Sequence, residues 1–135
     1  MAGMFFPLLF AAAVGGVAPI DTSGFNDSRH HWRNIIQPER FMQAGLNQAS
    51  YKPEQVREIA ANILLFERDN GGWPKDYDML AVLTEEQKKL VRDTRANSDT
   101  SFDNHNTHPQ VDYLARAFVA VGDPVPVRPG VPCVW

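Results

Sequence analysis

The chain carries a single cysteine, Cys133, so it can close no disulfide within itself and can build no cysteine-based zinc site. Positive charge is equally scarce: 13 Lys and Arg stand against 16 Asp and Glu, a formal net charge of −3. Proteins that grip phosphates present a basic face, so this balance argues against a nucleic-acid partner. No run of the sequence approaches the roughly 20 apolar residues that cross a bilayer as a helix, which excludes a membrane span of that kind. Alternation of period two, the mark of a half-buried strand, is missing as well. What remains is an all-α chain.

At 135 residues, with 44% hydrophobic and 21% charged side chains, there is enough chain for one domain around one core. The first 20 residues, "MAGMFFPLLFAAAVGGVAPI", contain no charged side chain. An apolar block from Met4 to Val14, followed by Gly15, Gly16 and Ala18, has the outline of a secretory leader, and predicts a secreted or periplasmic protein. Two features depart from that outline: the first basic side chain is Arg29, and Pro7 interrupts the block. A buried N-terminal segment and a mis-called start codon are the other readings of the same residues. Residues 21–123 then make the folded module. The stretch from Gly122 to Trp135 holds 4 of the 10 prolines, which marks 124–135 as an extended, helix-free tail.

Within the module, Val56, Ile59, Ala60, Ile63 and Leu64 recur at helical spacing and predict a helix over Pro53–Arg68. Ser50 and Pro53 stand where its cap and first-turn proline belong, and Gly71–Gly72 where it stops. Thr84 and Gln87 form a capping-box pattern, "TEEQ", that opens a second helix to about Arg95. A third begins near Thr107 or His108, with Pro109 in its first turn and Gly122 past its end. Val111, Leu114, Ala115, Phe118 and Val119 make its expected buried stripe, and Asp112–Arg116 an i, i+4 pair on another face. Between Asp21 and Ser50 the sequence is polar and rich in turn residues. The apolar set Ile35, Ile36, Phe41, Met42 and Leu46 predicts a short helix there.

Two stretches carry chemistry. In "RDNGGWPKDYD", Arg68–Asp78, Trp73 offers a flat amphipathic face of the kind that stacks on sugar rings, and Lys75 a cation for a carboxylate. The plainer reading makes Trp73 a core residue against Phe66 and leaves Lys75 in solvent. In "SFDNHNTHPQVDYLARAF", Ser101–Phe118, oxygen and nitrogen donors crowd the start of a helix. Asp103 and Asn104 suit a hard cation such as calcium. His105 and His108 with Asp103 suit zinc less well, since two histidines without a third strong ligand at known spacing make no signature. A polar loop that caps the helix accounts for the spacing without any metal.

Together the two stretches resemble the catalytic module of the family 10 pectate lyases. That family carries an N-x-L-L-x-x-Q-R-x-N-G-G-W-P-K-N pattern and then T-x-D-N-G-A-T. This chain matches at Asn62, Leu64, Leu65, Arg68, Asn70, Gly71, Gly72, Trp73, Pro74 and Lys75, and again at Asp103, Asn104 and Thr107. The resemblance spans roughly Gly24 to Asp123. It implies an (α/α) toroid of stacked helical hairpins, here incomplete, and calcium-assisted β-elimination of polygalacturonate, the acidic polymer of pectin. It places Asp103 and Asn104 on the calcium and substrate side of the cleft, with Trp73 and Lys75 as further substrate-binding candidates.

The departures are His105-Asn106 where the family has Gly-Ala, Glu67 for Gln, and Asp76 for Asn. The family's catalytic base is an arginine from a region with no counterpart here, and none of Arg68, Arg92, Arg95 and Arg116 matches it. The catalytic residue is therefore unassigned. The expectation is the N-terminal part of a longer module, weakly active or inactive, with self-association through helix faces such as Ile59–Ile63 and Leu114–Phe118. A non-catalytic uronate-binding module and a degenerate remnant are the competing readings.

Overall fold

A computed structural model describes residues 17–103 and 105–122 of the chain. The leader up to residue 16, Asn104 and the tail from residue 123 lie outside the described residues. A short 3-10 turn, Ser23–Phe25, leads into α1 (Asn26–Asn34), and α2 (Val56–Phe66), α3 (Glu85–Asp93) and α4 (His108–Val121) follow. No strand occurs among the described residues. Two isolated antiparallel bridges, Ser50 with Ala81 and Pro74 with Thr100, tie irregular segments together. The all-α expectation holds.

α2 forms for the reason its sequence predicts. Val56, Ile59, Ala60, Ile63 and Phe66 repeat at three and four residues, and all are buried. Its ends differ from the expectation. Gln55, not Ser50, is the N-cap, and the helix stops at Phe66 on an extended Glu67. Ser50 instead pairs with Ala81, and the two glycines belong to a later turn. α2 packs against both α3 and α4. The expected exposure of Ile59 and Ile63 is thus overturned, because both lie at 0%.

α3 carries the predicted capping box: the Gln87 amide donates to Thr84 Oγ1 at 3.1 Å, and the Thr84 amide to Gln87 Oε1 at 3.0 Å. Only Val91 is buried in it. α4 ends on Gly122, whose φ of 70° is the left-handed conformation glycine adopts freely. Its expected stripe is corrected. The helix buries Gln110, Tyr113 and Ala117, while Val111, Phe118 and Val119 stay exposed. Tyr113 and Gln110 take the core-facing positions, Tyr113 against the Phe25 ring and Gln110 on the buried Asn106. The expected self-association therefore rests on α4 alone. The Asp112–Arg116 pair forms as expected, at 2.9 Å.

The helix expected around Ile35–Leu46 is absent. The helix in that zone is α1, just upstream, and it buries Trp32, whose ring N–H donates to the Met42 carbonyl at 3.2 Å. Ile36 and Leu46 are exposed, so the apolar residues had no common face to share.

The centre of the core is not helical. From Trp73 to Ala81 every residue is buried except the half-buried Lys75. Irregular backbone inside a core needs partners for its polar groups. Asn62 on α2 supplies two, donating to the carbonyls of Met79 at 2.8 Å and Ala81 at 3.2 Å. Tyr77 stacks on Phe41 with ring centroids 4.5 Å apart and also meets Phe66.

Burial pushes the Tyr77 phenol up to about 12, and the Tyr113 phenol likewise to about 12, with Glu58 adding to the latter. The folded state therefore holds these protons more tightly than the unfolded chain. Stability is complete below pH 10 and falls as pH rises from 10 through 12, by on the order of 2 kcal/mol for each ring. Circular dichroism followed from pH 9 to 12 should show unfolding that coincides with tyrosinate absorbance. Tyrosinate formation with the fold retained would contradict it.

Candidate functional site

After α2 the chain makes a tight turn. The Arg68 amide donates to the Gly72 carbonyl at 2.8 Å, and the Gly71 amide to the Arg68 carbonyl at 2.9 Å. Gly71 sits at φ 82°, and a side chain on Gly72 would meet Thr100 at 3.0 Å, so each glycine has its own reason. Asn70 completes the turn: its Oδ1 accepts from the Gly72 amide at 3.0 Å and its Nδ2 donates to Thr100 Oγ1 at 2.9 Å.

That turn aligns Trp73–Pro74 beside Thr100–Ser101. The Ser101 amide donates to the Trp73 carbonyl at 3.2 Å, next to the Pro74–Thr100 bridge. Arg68, buried, forks onto Asp99 with both bonds at 2.8 Å and donates to Thr94 Oγ1 at 2.9 Å. Its guanidinium also lies 5.0 Å over the Phe41 ring. The two stretches named from the sequence are thus one structural unit.

Asn106 locks the unit from the other side. It is fully buried, and its Nδ2 donates to the carbonyls of Trp73 at 2.8 Å and Ser101 at 2.6 Å. Its Oδ1 accepts from Gln110 Nε2 on α4 at 2.9 Å. Thr107 Oγ1 donates to the Ser101 carbonyl at 2.8 Å. Asp99 did not stand out in the sequence, and Asn106 stood out only among the donors crowded ahead of a helix and as a departure from the family pattern. The only signal was an amide side chain inside a polar run just ahead of a helix.

The structure distributes the expected site residues unevenly. Trp73 is 3% exposed, and its ring N–H donates to the Ile63 carbonyl at 2.7 Å, which puts the indole in the core. Lys75 and Asp103 do come together, with Nζ and Oδ2 3.5 Å apart at the surface. The Asp103 carboxylate is 74% exposed and its amide donates to Ser101 Oγ at 3.0 Å. An ion pair so exposed contributes about 0–1 kcal/mol. Asn104 lies outside the described residues.

The loop that presents Asp103 is strained. His105 has φ 52° and Thr107 φ 70°, both left-handed without being glycine. The His108 amide donates to the Asn106 carbonyl at 3.0 Å and closes a γ-turn about Thr107. A β-branched residue there costs about 1–3 kcal/mol.

Among the described residues no three His, Cys, Asp or Glu gather into a metal-binding group. The His105 and His108 rings stand 5.9 Å apart without Asp103 between them as a third ligand, so zinc has no support there. Calcium takes six to eight oxygens, and the described residues offer it the Asp103 carboxylate beside the Lys75 cation. Asp103 fits such a donor in kind, and Asn104, the other expected donor, lies outside the described residues.

With the geometry in place, the comparison with known families falls on the same unit. Residues 67–124 match the family model for pectic acid lyase. Over that range, from the turn after α2 past the end of α4, the chain is similar to a pectate lyase-related domain. No curated protein and no solved structure matches the chain.

Proposed function

We propose that the chain is a pectate lyase-like protein that takes polygalacturonate at the face carrying Lys75 and Asp103, as part of a family 10 type (α/α) toroid exported for pectin breakdown. One observation carries the reading: the pectic acid lyase match covers both stretches, and both are joined around that exposed pair.

The chemistry of the class is β-elimination. The C5–H bond beside the uronate carboxylate breaks, a C4–C5 double bond forms, and the C4–O bond to the leaving sugar breaks. A calcium ion held by Asp103, Asn104 and the polymer's own carboxylates would neutralise the uronate and acidify the C5 proton. Lys75 supplies a cation to a neighbouring uronate carboxylate, and Trp73 supports the 73–75 backbone from beneath. The proton acceptor has no assigned residue. Arg68 is committed to Asp99 and Thr94, and Arg116 to Asp112.

The second reading is a uronate-binding module with little or no turnover. Both readings are tested together. Polygalacturonate gels containing calcium should retard the purified protein, and Asp103→Ala should abolish the calcium-dependent part. Unsaturated product, read by ultraviolet absorbance at alkaline pH, separates lyase from binder. No retardation together with a flat absorbance trace would sink both.

A further inference from the structure

Two left-handed non-glycine residues, His105 and Thr107, flank Asn106, and the loop they form carries Asp103. The exposed Lys75–Asp103 pair is too weak to hold such a loop in place. The buried carboxamide is better suited. It faces two carbonyls, of Trp73 and Ser101, so its NH2 end must point at them, while its oxygen takes the Gln110 amide. Its three shorter hydrogen bonds end on different parts of the site: the Lys75 stretch, the Asp103 loop and α4.

We propose that Asn106 is a positioning residue, whose carboxamide holds Ser101 and the His105–Thr107 turn on the Trp73–Lys75 stretch against the backbone strain at His105, and thereby keeps Asp103 beside Lys75. The proposal rests on the pectate reading for its ligand, although the loop's order can be measured without one. If strain at His105 is what the clamp opposes, glycine at that position should remove the need for the clamp, because glycine takes a positive φ freely.

The test uses the full chain as wild type, Asn106→Ala, His105→Gly, and the two substitutions combined. Hydrogen exchange reads the amides of Ser101, which donates to Trp73, and of Asp103, which donates to Ser101 Oγ. In Asn106→Ala these amides should exchange at least tenfold faster, and polygalacturonate retention in calcium gels should fall about fivefold. The double variant should recover most of both, although none of the lost side-chain hydrogen bonds returns. A purely structural role for the amide predicts no such rescue. Unchanged exchange in Asn106→Ala overturns the proposal, as does a double variant no better than Asn106→Ala alone.

Should Asn106→Ala fail to fold, His105→Gly decides alone: a raised melting temperature with the Ser101 amide still protected supports the clamp, and a lowered one overturns it. Wild-type protein that ignores polygalacturonate while the exchange pattern holds would remove the pectate reading and leave the positioning role standing.

Discussion

Asp78→Ala is expected to cost about 3–5 kcal/mol of folding stability. The carboxylate is 1% exposed and accepts from Arg33 Nε at 2.7 Å, with Arg29 Nε at 3.6 Å and the Leu80 amide donating to its other oxygen at 2.9 Å. Arg33 simultaneously donates to the Gln48 carbonyl at 2.7 Å and to Ser50 Oγ at 2.8 Å. One carboxylate therefore joins α1, the segment before α2 and the buried Trp73–Ala81 stretch. Removing it leaves a half-buried guanidinium uncompensated and an amide without its acceptor, and both penalties are large where water is excluded. Asp78→Asn keeps the shape and the acceptor for Leu80, so its cost should be smaller. Urea unfolding of both variants, with an unchanged slope, measures the difference. A loss under about 1 kcal/mol for Asp78→Ala would mean that the arginines are well hydrated without it.

That centre shows which part of the fold was readable in advance. α2, α3 and α4 were legible because apolar spacing, a capping box, a first-turn proline and a terminal glycine are local signals, and local geometry decides them. The polar hubs were not. Asp78 lies in the quoted "RDNGGWPKDYD" stretch, yet its partner Arg33 is 45 residues upstream, and nothing in either neighbourhood announces the pairing. Arg68 and Asp99 are 31 apart, and Asn106 reaches back 33 residues to Trp73.

The stripe of α4 failed for a related reason. Periodicity reports which residues share a face, and burial depends on what the rest of the chain brings against it. Gln110 and Tyr113 face inward because Asn106 and Phe25 meet them there. For the site, the sequence named the two stretches and the Lys75–Asp103 surface. It placed Trp73 among the substrate-binding candidates, and the indole's hydrogen bond to Ile63 lies in the core.

The second large effect lies in the other long-range pair, and its direction is informative. Asp99→Ala should destabilise by about 3–5 kcal/mol, while Arg68→Met should cost only about 2–3 kcal/mol. The two side chains share the same fork, but their surroundings differ: Arg68 is 1% exposed and Asp99 37%. Taking away the carboxylate strands a buried positive charge that keeps only weaker compensation from its bond to Thr94 and its place over the Phe41 ring. Taking away the guanidinium leaves a carboxylate that water can reach, and methionine fills much of the space. The penalty is then lost hydrogen bonds rather than an unpaired buried charge.

Asp99 also begins the segment that pairs with Trp73–Pro74, so its loss should loosen the loop carrying Asp103 before the helices unfold. Denaturant unfolding run side by side orders the two variants. The reverse order, with Arg68→Met the worse, would show that packing over Phe41 rather than the charge pair holds the turn in place.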